Sequence, residues 1–138
     1  MRYNVLVLKD YLRAELLERE TADETREFLK ALATVALRER KERALICVYS
    51  SRPIFRVEEY QASIYLKELA ARPASKVALV SSRLDIRVAH EYLEVLASHQ
   101  GARLRSFTDE AAAIAWLRGQ GGDEKTVESA RADSGLER

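Results

Sequence analysis

Two short, uninterrupted apolar runs constrain the fold of this chain more than any other feature. Residues 44–49 read Ala-Leu-Ile-Cys-Val-Tyr, and residues 77–80 read Val-Ala-Leu-Val. Runs of this length with no polar face are typical of strands inside a parallel sheet that is covered on both sides. Because parallel neighbours need crossover connections, the two runs predict an α/β domain.

Helical patterns lie around these two strands. Thr21-Ala22-Asp23-Glu24 forms a capping box, and the apolar stripe that follows it predicts a helix over residues 22–41. Further helices are predicted over residues 57–71 and 85–99, and Thr108 is expected to cap the last one. Four side chains of the helix over 85–99 are expected to face inward: Ala89, Tyr92, Leu93 and Leu96.

The remaining strands complete a single sheet. Residues 3–8 and 11–17 are predicted to form a hairpin that turns at Lys9-Asp10, and alternation after Gly101 predicts an edge strand. The order is ββαβαβαβα, which predicts a single-domain α/β fold with a mixed, mostly parallel five-stranded sheet and four helices. The hairpin is expected to supply the antiparallel strand. In the last helix, Trp116 is expected at the rim of the core.

The domain is expected to span residues 1–118. Residues 119–138 hold four of the five glycines and few apolar residues, so they are expected to form a disordered tail. A net charge of +1 gives no general attraction to nucleic acid. No signal peptide or membrane span is predicted. With the single cysteine, Cys47, these features predict a cytoplasmic protein.

A repeated turn follows both apolar runs. The pattern S-S-R-x-x-x-R-V occurs after each of them, one βα unit apart, at the point where a strand ends and a helix begins. The two copies supply eight candidate binding residues: Ser50, Ser51, Arg52, Arg56, Ser81, Ser82, Arg83 and Arg87.

The position of this repeat suggests an anion site. In open α/β sheets, ligands bind beyond the carboxyl ends of the strands, and N–H groups at helix starts favour anions. Serine hydroxyls add donors, and arginine matches phosphate or carboxylate. If the two strands are neighbours, the four arginines could surround one anionic group. In the simpler interpretation the serines only cap helices and the arginines are solvated.

The other candidate residues give weaker indications of function. No catalytic residue, metal site or cofactor is predicted, since His90 and His99 are not spaced as ligands on one helix face, and no Gly-rich phosphate loop is present. Cys47 is expected to be a buried, inert thiol. Phe55, Tyr60 and Tyr65 are expected to pack in the core, or else to line a site for an apolar ligand or a partner protein.

The chain also resembles a known family. Residues 105–117 are similar to the F-x-D-x-x-x-A-x-x-W-L closing helix of the STAS domain (sulfate transporter and anti-sigma-factor antagonist), and the element order resembles its SpoIIAA-like bacterial branch. The resemblance implies a phosphorylatable serine, Ser50 or Ser51, and an anti-sigma kinase as partner. Tyr49 and Arg52 stand where that family has Asp and Gly. Some relatives of this fold bind lipids or other small ligands.

Three functions are therefore considered. The first is a non-enzymatic, SpoIIAA-like regulatory module that recognises a partner protein or a small anionic ligand at the two turns. The second is a phospho-switched antagonist with Ser50 or Ser51 as the acceptor. The third is a serine-dependent enzyme of unknown reaction, with Ser50 or Ser81 as the nucleophile. A homodimer through an exposed edge strand or the aromatic helix face is also considered.

Overall fold

Nine helices and strands make up the described part of the chain. The computed structural model describes residues 1–56 and 61–119, so the start of the predicted second helix at 57–60, including Tyr60, and the predicted tail beyond Gly119 lie outside it. The elements are β1 (Arg2–Val7), β2 (Leu12–Leu17), α1 (Ala22–Glu39), β3 (Arg43–Tyr49), α2 (Ala62–Ala70), β4 (Lys76–Val80), α3 (Leu84–Gln100), β5 (Leu104–Phe107) and α4 (Glu110–Leu117).

The five strands form one sheet in chain order, β1-β2-β3-β4-β5. β1 runs antiparallel to β2, and the other three pairings are parallel. The predicted fold class, a mixed and mostly parallel five-stranded sheet with four helices, is confirmed. The predicted edge position of the strand after Gly101 is also confirmed, since β5 ends the sheet. No helix in the described ranges is long and apolar enough to cross a membrane.

The helices lie on both faces of the sheet. Side chains of α1 and α3, such as Phe28 and Ile86, pack against alternate residues of β2, β3 and β4. The opposite face of β3, with Leu45 and Cys47, packs against α4. Alternation along β3 thus divides the core into two layers, because successive strand residues point to opposite sides. The first layer is covered by α1, α2 and α3 together.

Three local predictions are wrong. The last helix is capped by Asp109 rather than Thr108, because the Asp109 carboxylate has two oxygens that accept from the N–H groups of Ala111 and Ala112. Trp116 is buried rather than at the rim, because its ring fills the layer under α4. Tyr92 is half-exposed, because it lies opposite the inward stripe of α3.

Candidate functional site

The structure brings the two Ser-Ser-Arg turns together. β3 and β4 are parallel neighbours, with Cys47 paired to Val80, so both turns leave the same edge of the sheet. Arg83 of the second turn donates from Nη1 to the backbone carbonyl oxygen of Ser51 at 3.2 Å. One hydrogen bond therefore joins the turns, although their role in binding stays a prediction.

The four serines of these turns fall into two groups. Ser51 is buried, and its hydroxyl donates to the Tyr49 carbonyl oxygen at 2.8 Å and accepts from the Arg19 backbone N–H at 3.2 Å. Ser81 is also buried and accepts from the Arg83 backbone N–H at 3.2 Å. Ser50 and Ser82 are exposed. The buried serines thus hold the turns in shape, and the exposed ones are open to solvent.

Arg52 and Arg83 each contact a carboxylate. Arg52 Nε lies 3.4 Å from Glu20 Oε1, and Arg83 Nη2 lies 2.6 Å from Asp85 Oδ2. These acids offset positive charge that the sequence pattern assigned to an anion site. Arg56 is exposed before the start of α2, and Arg87 lies one turn into α3, beyond Arg83. The turns alone are therefore less basic than the sequence suggests.

An apolar cavity lies beneath α1 and α2, on the face of the sheet that α1, α2 and α3 cover. Its volume is about 260 Å³. Alternate residues of β3 from Ala44 to Val48 line its floor, which at about 3.3 Å per residue gives a length of roughly 13 Å. The cavity is therefore elongated along the strands. Leucines and other aliphatic side chains form much of its wall, including Leu12, Leu16, Leu32, Leu66 and Val77.

Arg19 and His90 lie in the cavity wall, at the end of the cavity that is nearest the carboxyl ends of the strands. Arg19 and His90 are 8% and 6% exposed, and both line the cavity. The Arg19 guanidinium donates to the backbone carbonyl oxygen of Arg52, which anchors it to the first turn. His90 Nδ1 is buried and has no hydrogen-bond partner among the described residues. Because a buried polar atom is normally paired, this atom suggests a position for a ligand.

Sequence reasoning missed both of these residues. Arg19 follows β2, whose carboxyl end lies at the same edge as the two turns because β2 is parallel to β3. The parallel pairing of β2 with β3 is the signal that could have placed Arg19 at this edge. The interpretation of residues 11–17 as half of a hairpin does not use it. His90 was considered only as a metal ligand, although it adjoins Ala89 in the predicted inward stripe. Tyr65 does line the cavity, whereas Phe55 is exposed.

The environment of His90 keeps its imidazole neutral. Burial, followed by the positive charge of Arg19, lowers the pKa of His90 from 6.5 to about 4. A neutral imidazole has one N–H donor and one acceptor nitrogen. At neutral pH the positively charged Arg19 therefore lies beside a neutral group that can form hydrogen bonds.

This shift predicts a pH dependence of stability. The unfolded chain takes up a proton at His90 below pH 6.5, whereas the folded protein does so only near pH 4. The contribution is complete above pH 6.5 and is lost as the pH falls towards 4. Between pH 7 and pH 5 we expect wild type to lose about 2 kcal/mol more unfolding free energy than His90→Gln in urea titrations. Equal losses would show that His90 titrates normally in the folded state.

Cys47 lies on the opposite face of the sheet, beneath α4. It is 1% exposed, and its Sγ lies 3.8 Å from Glu110 Oε1. Burial, followed by the charge of Glu110, raises the pKa of the thiol to about 11. The thiol therefore stays protonated at neutral pH, which agrees with the inert role expected for it. Within residues 1–56 and 61–119, no group of three or more His, Cys, Asp or Glu side chains is placed to hold a metal ion.

Comparisons with known proteins do not assign the chain to a family. No family model, no curated protein and no solved structure matches it. The STAS resemblance therefore stays a prediction from residues 105–117 and from the order of elements.

Proposed function

We propose that this protein is a non-enzymatic binding module for a small, elongated, apolar molecule with an anionic head group. A medium-chain carboxylate is the simplest ligand of this kind. The observation that carries the proposal is the apolar cavity with Arg19 and His90 buried in its wall beside the first Ser-Ser-Arg turn. The ligand therefore carries the anionic group expected at this edge of the sheet, together with an apolar chain.

The cavity favours an apolar ligand because most of the side chains that line it are apolar. Each buried methylene group contributes about 0.8 kcal/mol when it leaves water. A chain lying along β3 would contact Ile46 and Val48 below it and Leu32 of α1 beside it. Several methylene groups together supply enough free energy to offset the ordering of a flexible chain.

Arg19 and His90 favour an anionic head group. A positive charge in an environment of low polarity attracts an anion more strongly than it would in water. A carboxylate beside Arg19 can also accept a hydrogen bond from the neutral imidazole of His90. An uncharged head group gains only hydrogen bonds there. We therefore expect carboxylates to bind more tightly than alcohols with the same chain.

The buried serines of the two turns, Ser51 and Ser81, hold those turns in shape rather than acting as nucleophiles. The Ser51 hydroxyl already donates its proton to the Tyr49 carbonyl oxygen, so it is not held ready for transfer to a base. Ser81 lies equally deep and accepts from the Arg83 backbone N–H. Both hydroxyls serve the shape of the turns. The proposed site therefore uses the first turn as a support for Arg19.

Calorimetric titration with octanoate and octan-1-ol tests this proposal. Wild type is expected to bind octanoate at least tenfold more tightly than the alcohol, which corresponds to about 1.4 kcal/mol or more. Arg19→Met should weaken octanoate binding while leaving octan-1-ol binding intact, and retention of the alcohol would show that the cavity is still folded. Arg72→Met, at the other end of the cavity, is the matched control and should bind octanoate as wild type does.

Two results would contradict the proposal. If neither compound binds, the cavity does not accept a chain of this type. If octanoate and octan-1-ol bind equally well to wild type, Arg19 and His90 do not select an anion.

A phospho-switch is the second candidate function, and the exposure of Ser50 favours that residue as the acceptor. Ser51 is 2% exposed and uses its hydroxyl in two hydrogen bonds, so a kinase could not reach it without unfolding the turn. We expect phosphate on Ser50 and none on Ser51 in peptide mass spectrometry after co-expression with a candidate kinase. An unmodified peptide over residues 50–51 would count against this switch.

A further inference from the structure

Helix α3 carries apolar side chains on two opposite faces. Its inward face, with Ile86, Ala89 and Ala97, is buried in the core. A helix that is apolar all round is typically buried all round. The outer face of α3 is instead exposed, and four large apolar side chains lie on it: Leu84, Val88, Tyr92 and Val95. Leu84 is the most exposed of these, at 70%.

The residues of this outer stripe are spaced like those that form the contact between two packed helices. The four positions follow one another at intervals of four, four and three residues. Such intervals keep side chains in one narrow line along a helix, as at the seam where two helices pack together. The stripe extends over most of α3, so it offers a second helix a continuous surface.

The charged residues that flank the stripe are complementary to the same residues in a second copy of α3. Arg87 and Glu91 lie one helical turn apart on the same flank of the stripe. If a second α3 lies antiparallel, with the two-fold axis level with Ala89, Leu84 lies within one residue of the second copy's Val95. In the same alignment Arg87 meets the second copy's Glu91, and Glu91 meets its Arg87. A symmetric pair therefore joins opposite charges twice.

We propose that two copies of this chain form an antiparallel dimer through the outer face of α3, a surface independent of the ligand cavity. The apolar stripe forms the centre of the interface, and the pairs of Arg87 with Glu91 set its direction. This assigns Arg87 to the interface rather than to the ligand site predicted from the sequence.

Charge reversal tests the proposed pairing. Arg87→Glu alone and Glu91→Arg alone each place like charges opposite one another, so each variant is expected to dissociate at least tenfold more readily than wild type. An equimolar mixture of the two variants restores opposite charges across the interface, and dimers should return. Sedimentation velocity over a range of concentrations measures all of these states.

Two matched variants locate the interface. Val88→Glu introduces a charge into the stripe and should abolish the dimer, whereas Leu6→Glu, a similar change at an exposed residue of the edge strand β1, should not. Wild type that stays monomeric at every concentration would overturn the proposal, as would a mixture of the charge variants that fails to associate. Loss of the dimer in Leu6→Glu would place the interface at the sheet edge instead. None of these results depends on octanoate binding.

Discussion

Replacing Ala33 by leucine is expected to stabilise the protein and to abolish octanoate binding at the same time. Ala33 lies on α1 and lines the cavity. The added carbon atoms would fill space that a ligand chain otherwise occupies, and their burial contributes about 2 kcal/mol to the free energy of unfolding. Urea denaturation measures the gain, and calorimetric titration measures the loss of binding.

A gain in stability distinguishes this result from damage to the fold, because damage would lower both the free energy of unfolding and the affinity for octanoate. Ala31→Leu is the matched control, because Ala31 lies on the same helix but outside the cavity wall. It should leave octanoate binding unchanged. If Ala33→Leu destabilises the protein, the space beneath α1 is already filled, and the account of the cavity fails.

Replacing Trp116 by alanine is expected to cost about 3–5 kcal/mol of unfolding free energy. The Trp116 ring is 5% exposed, and its centroid lies 5.8 Å from that of Phe107. Lys76 Nζ lies 4.9 Å from the same ring, and it donates to the Trp116 carbonyl oxygen at 2.8 Å. Removing the ring leaves a cavity and takes the aromatic face from a buried ammonium group.

Phe55→Ala is a suitable control for the loss of an aromatic ring, because Phe55 is half-exposed. Its cost in urea denaturation should be within about 0.5 kcal/mol of zero, as for most surface substitutions. A loss below about 1 kcal/mol for Trp116→Ala would instead support the rim position that the sequence pattern predicted for Trp116.

The order and type of the elements were predictable because they depend on local periodicity. Uninterrupted apolar runs predicted β3 and β4, and the capping box predicted the start of α1, where Thr21 does accept from the Glu24 N–H. Positions of single side chains were harder to predict. Trp116 and Tyr92 are both large aromatic residues within helices, and only the packing of those helices decides which of the two is buried.

The candidate site was only partly predictable for the same reason. The Ser-Ser-Arg repeat placed two turns at the ends of β3 and β4, which are parallel neighbours, because strand ends can be located from local patterns. Arg19 follows β2 and His90 lies on α3, so the two residues are far apart in sequence and no pattern links them. The cavity arises because α1 and α2 leave space above β3, and that space is a property of the assembled helices.

Intermolecular nuclear Overhauser effects between octanoate and the protein test the central claim most directly. We predict contacts from the methylene groups of the ligand to methyl groups of Leu32, Ile46 and Leu66, together with a change in the ring signals of His90. No contacts are expected to Leu84 or Val95 on the outer face of α3. Contacts confined to that outer face, or His90 signals that stay unchanged at saturation, would contradict the proposed cavity site.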